Sequence, residues 1–194
     1  MKILKRRSIK KLRSISFFLG LLGAQCLSLS TVYADFTILQ GTSVIERNRL
    51  RTNAQIELKL DNAPSDALRA GIPLTLSIQM QLIKKNNFLL KQVISNWQYQ
   101  YVLDYHPLSG RYLVNDIASN QMKSYSTLIE ALNSFSRFRS SERMMNLKQD
   151  SGRLLVRLRA VLETNSLPKP LRLITFFFPE WQQTSEWRQW NIVQ

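Results

Sequence analysis

The feature that most constrains this chain is a two-residue period in its apolar side chains. Leu50, Ala54, Ile56, Leu58 and Leu60 share one parity, with Arg51, Asn53, Gln55, Glu57 and Lys59 between them. Leu74, Leu76, Ile78, Met80 and Leu82 repeat the pattern, separated by Thr75, Ser77, Gln79 and Gln81. So do Trp97, Tyr99, Tyr101, Leu103 and Tyr105, and later Leu154, Val156, Leu158, Ala160 and Leu162. Successive side chains of an extended strand point to opposite faces, so this period describes strands with one apolar and one polar face. Strands of that kind pair antiparallel, because parallel strands tend to be apolar on both faces. Shorter candidate strands are Thr37–Ile45, Arg111–Ile117 and Leu171–Phe178.

Two helices are expected. Pro64 to Ala70 ends at Gly71, a glycine stop, and Thr127 with Glu130 has capping-box spacing ahead of Leu128, Ala131, Leu132 and Phe135 on one helical face. The fold class is therefore mostly β: an antiparallel β-sandwich or β-rich roll of about seven or eight strands with two short helices.

The N-terminal segment reads as an address. Seven cations and no acid lie within residues 1–14, an apolar run of about 15 residues follows from Ile15 to Leu29, and Val32-Tyr33-Ala34 offers small residues at the −3 and −1 positions. That run is shorter than the ~20 residues of a comfortable span. The expectation is a signal peptide over residues 1–34, cut after Ala34 by general secretion, and a single exported β-rich domain over 35–194 in the periplasm. An uncleaved anchor is the alternative. The leader would remove seven of the 27 basic residues and none of the 13 acidic ones, lowering the net charge from +14 to about +7. It would also remove the single cysteine, Cys26, leaving no thiol for oxidation to act on. With half the excess charge assigned to targeting, nucleic acid is not an expected partner. An envelope protein or a membrane surface is, and oligomeric state is left open.

Several segments resemble a family of exported Gram-negative proteins defined only as a domain of unknown function (DUF4390). The residues that carry the resemblance are Gly71 to Leu74, Tyr101 to Tyr112, Leu128 to Leu132, Leu167 to Leu171, and Trp181 with Ser185-Glu186-Trp187 and Trp190. The resemblance implies export but no catalytic residue or ligand. Relatives carry a tryptophan-rich stretch after the position of Lys84-Lys85, where this chain has Asn86-Asn87-Phe88-Leu89-Leu90.

No residue pattern marks a catalytic, cofactor or metal site. Asp104 and His106 lie two apart and could face one ligand with Asp116, but with one His and no mature Cys the ligand count fails. His106 with Ser109 lacks a nucleophile elbow, and His106-Pro107-Leu108-Ser109-Gly110 has the residues of a hairpin turn. An enzyme built on Asp104, His106 and Arg111 is the alternative to a non-enzymatic envelope accessory or binding module. Three surface features are candidates for the latter. Arg47, Arg49 and Arg51 with Arg153, Arg157 and Arg159 make a positive stripe if their strands are neighbours; otherwise they are solvated faces. Phe88 and Leu89, flanked by lysines, make either a hairpin tip for a membrane or partner, or a continued strand. Phe176-Phe177-Phe178 puts aromatics on both faces of an expected strand, Phe176 and Phe178 on one and Phe177 on the other, so that the strand is either central or exposed for a partner.

Overall fold

The computed structural model describes residues 36–85, 91–144 and 153–193. Chain order is β1 (Phe36–Glu46), β2 (Arg49–Leu58), α1 (Asn62–Arg69), β3 (Leu74–Lys85), β4 (Lys91–His106), β5 (Arg111–Asp116), β6 (Gln121–Tyr125), α2 (Leu128–Asn133), β7 (Arg137–Arg143), β8 (Arg153–Glu163), α3 (Lys169–Phe177) and β9 (Arg188–Asn191). Every named pairing is antiparallel. One sheet has the order β1-β2-β7, the other β6-β5-β4-β3-β8-β9. The expected β-sandwich class is what forms.

The alternating segments behave as their period demands. Along β2 every second residue is buried, from Leu50 to Leu58, and every residue between is exposed. These side chains join Leu74, Leu76, Ile78, Met80 and Leu82 of β3 and Val156, Leu158, Ala160 and Leu162 of β8 in one core between the sheets. β3 lies between β4 and β8, and its second face is also covered: Ser77 is buried, and Gln98 of β4 donates to its hydroxyl at 3.0 Å. Aromatic edges lock the two layers where β7 crosses β4, with Tyr99 against Phe138 at 4.9 Å and Tyr101 against Phe135 at 5.0 Å between ring centres.

Local chemistry sets the connections. β1 and β2 join through Arg47 and Asn48, both at positive φ (48° and 62°), a two-residue turn whose twist matches antiparallel strands. α1 stops at Gly71, with φ 83° and its amide on the Leu68 carbonyl. At α2 the Thr127 hydroxyl accepts from the Glu130 amide at 3.1 Å, while the Glu130 carboxylate accepts from the Ser126 amide.

One expected strand is a helix. Residues Leu171–Phe178 were read as extended because Ile174, Thr175 and three consecutive phenylalanines favour strands, yet α3 occupies Lys169–Phe177. Pro168 and Pro170 decide the matter: proline in the first turn of a helix forfeits no hydrogen bond and presets φ, whereas within a ladder it removes a donor. Phe176 and Phe178 therefore do not belong to a strand; Phe176 lies within α3 and Phe178 is its extended C-terminal cap. Among the described residues, no helix is long and apolar enough to cross a membrane.

Candidate functional site

Three strands cannot cover six, and the two sides of the sandwich solve this differently. On the β9 side the chain closes the gap. The Trp190 indole lies on Gly41 of β1 so closely that a Cβ at that position would collide with the ring. Its N–H donates to the Ser43 hydroxyl at 2.9 Å, which shares a buried hydrogen bond with Thr52. The Val193 amide donates to the Ser43 carbonyl at 2.8 Å.

On the β7 side the inner face of β5 and β6 has only α2 and β7 beside it, and a cleft of about 230 Å³ remains. Its apolar lining is Ile78, Val114, Phe135 and Phe138, all buried. Lys123, Asp116, Arg137 and Arg139 supply its charge, three cations to one carboxylate. Burial first, and the Asp116 carboxylate second, push the Tyr101 phenol in this cleft above its ordinary value. A second depression, of about 280 Å³, crosses the outer face of the three-stranded sheet and shares Arg137, Phe138 and Arg139 with the first. Gln40, Thr42, Asn53 and Gln55 supply its polar lining, with no carboxylate among its residues.

That outer face gathers arginines. The register sets Arg49 of β2 directly opposite Arg143 of β7, and places Arg51, Arg139 and Arg137 on the same parity. All five are exposed. Glu46 pairs with Arg51 at 3.0 Å, and Glu57 with Lys59 at 2.8 Å. Like charges directly opposite one another destabilise a strand pair, and guanidinium groups at this spacing suit carboxylates and phosphates.

The expected stripe is thus regrouped. Arg49 and Arg51 lie in the three-stranded sheet whereas Arg153, Arg157 and Arg159 lie in the six-stranded one, so the two sets cannot be continuous. Arg47 is in the β1–β2 turn rather than on a strand. Arg157 and Arg159 donate to Gln81 and Gln79 at 2.8 and 2.9 Å, and the Trp187 ring covers both, 4.4 and 4.6 Å from their guanidinium carbons. Their work is to cover a sheet face. Arg153 stands instead in a cross-strand row with Lys85 and Lys91. Arg137, Arg139 and Arg143 escaped sequence reasoning, although Arg137-Phe138-Arg139 alternates. Phe138 is the one apolar residue facing inward there, and Ser140 and Glu142 break the apolar parity.

The Asp104–His106–Arg111 group does share a face, with His106 and Arg111 opposite each other at a hairpin. His106 Nδ1 and the Ser109 hydroxyl are 3.0 Å apart, but both are exposed in a turn closed by the Ser109 and Gly110 amides on the His106 carbonyl. Arg111 is committed to β6, through the Ser124 hydroxyl and carbonyl and the Ser126 hydroxyl. The Asp104 carboxylate accepts from the Tyr105 amide, and Asp116 points to the opposite face of the sheet. Among the described residues, no three His, Cys, Asp or Glu side chains gather as a metal site would need. Phe88 and Leu89 lie outside the described residues.

No curated protein and no solved structure matches this chain. A family defined as a domain of unknown function, DUF4390, matches residues 34–191, and the chain belongs to that family.

Proposed function

We infer that this is an exported, non-enzymatic binding module of the cell envelope, released into the periplasm by cleavage after Ala34, and that it captures an anionic envelope component on the outer face of β2 and β7. The leader reading is supported by its three-part layout and by a family match that starts at residue 34. The observation that carries the binding surface is the pairing of Arg49 with Arg143, flanked by Arg51, Arg139 and Arg137 on one face. A cross-strand pair of like charges costs stability unless an anion sits between them. Arginine's planar fork then gives the surface a preference for carboxylate or phosphate over diffuse negative charge.

The enzyme reading rests on Asp104, His106 and Arg111 sharing a face, but Arg111 is bonded to Ser124 and Ser126, Asp104 to the Tyr105 amide, and His106 to Ser109 in its own turn. The binding reading predicts that residues 35–194 are retained on immobilised polyglutamate or polyphosphate at low salt and released as salt rises. Comparing the two polymers separates carboxylate from phosphate preference. Changing Arg49, Arg139 and Arg143 together to Ser abolishes retention; a variant retained as strongly as the parent contradicts the reading.

A further inference from the structure

α3 turns two large apolar side chains outward. At about 100° per residue, Leu173 and Phe177 lie on the side of the helix opposite Thr175. Thr175 is the buried one, 3% exposed, with its hydroxyl donating to the Arg172 carbonyl, whereas Leu173 and Phe177 are 71% and 76% exposed. Leu173 and Phe177 thus form an apolar stripe on the outward side of a surface helix, where such helices ordinarily carry polar residues. Lys169 precedes Leu173 by four residues and continues the same stripe, Arg172 flanks it, and both cations are exposed. No acidic residue occurs between Lys169 and Phe177, and Phe178, 52% exposed, follows at the end.

We propose that α3 is a membrane-contact helix that lies flat on an anionic bilayer, with Leu173, Phe177 and Phe178 entering the headgroup–acyl boundary and Lys169 and Arg172 engaging lipid phosphates. The charge of the flanking residues selects this occupant. A protein groove would accept the apolar stripe alone, but cations on an acid-free helix match an anionic lipid surface, where long basic side chains reach phosphates while apolar ones sink. A contact made by three exposed apolar side chains, Leu173, Phe177 and Phe178, gives weak, reversible attachment, suited to holding a domain at a surface rather than anchoring it. The contact is separate from the arginine face of β2 and β7, which belongs to other strands.

Co-sedimentation of residues 35–194 with phosphatidylglycerol-containing vesicles tests it. Binding should exceed that to phosphatidylcholine vesicles, and Leu173→Asp with Phe177→Asp should lower it at least ~10-fold. Lys169→Glu should lower it less, and Arg49→Ser with Arg143→Ser should leave that α3-dependent part in place. Both apolar positions are exposed, so the thermal midpoint of the double variant should match the parent. Because residues 35–194 hold no cysteine, Leu173→Cys carries a single environment-sensitive fluorophore, whose emission should shift to the blue when vesicles are added. Binding that survives the two aspartates, an unshifted fluorophore, or an α3-dependent dimer without vesicle binding would each overturn the proposal.

Discussion

The two lateral sides of this sandwich meet the same geometric problem and teach different things. On the β9 side, an indole ring, a glycine and a chain of hydroxyls close the gap between a narrow sheet and a wide one. On the β7 side the gap stays open, and charged residues line it where apolar ones would have closed it. A closed side contributes packing and buried hydrogen bonds, and so belongs to stability. An open side lined by arginines contributes little to stability and is available for a partner. Substitutions should therefore separate the two.

The largest effect is expected at the closed side. Trp190→Ala removes a ring from between the layers and should cost about 3 kcal/mol in chemical denaturation. Gly41→Val should cost about 2 kcal/mol alone, by displacing the ring, and far less in the Trp190→Ala background, because the two positions share one contact. Additive costs would show that Trp190 does not rest on Gly41.

A smaller effect, dependent on pH, is expected where β7 crosses β4. Burial holds the Tyr99 phenol well above its ordinary value; its bond to Glu142 at 2.7 Å acts in the same direction and the Ser140 hydroxyl opposes them. A proton held more tightly in the folded chain gives stability that is complete below the unfolded value of about 10 and lost as pH rises above it. Tyr99→Phe should accordingly flatten the fall in stability between about pH 9 and 11, and adding Tyr101→Phe, whose shift has the same direction, should flatten it further. An unchanged alkaline slope would mean that neither phenol is buried as described.

The smallest effect has the opposite sign. Arg143→Ala relieves a like-charge pair and should raise stability by about 0.3 kcal/mol while weakening retention on polyanions. A loss of stability there would assign the arginines to the fold rather than to a partner.

What could be read from the residues follows the same division. β2, β3, β4 and β8 carry the core, so one face of each must be apolar and their period is visible. β6, β7 and β9, which no apolar period announced, are all edge strands. An edge strand pairs on one side only and can be short and polar; β6 has five residues and β9 four, so there is little pattern to detect. α3 was misread because β-branched and aromatic residues outweighed two prolines whose position within the first turn mattered more. Arg49 and Arg51 are visible as basic residues in the sequence, but that they share a face with Arg137, Arg139 and Arg143 depends on strand order, which pairs Asn53 of β2 with Arg139 of β7 across the 85 residues between them. No local period carries that information.

Amide hydrogen exchange of residues 35–194 with and without polyglutamate tests the central claim most directly. The account predicts added protection confined to Arg49–Leu58 and Arg137–Arg143, with Trp190 and its neighbours unchanged. Protection appearing instead at the His106–Arg111 turn, or at Lys85, Lys91 and Arg153, with β2 and β7 unaffected, would contradict it.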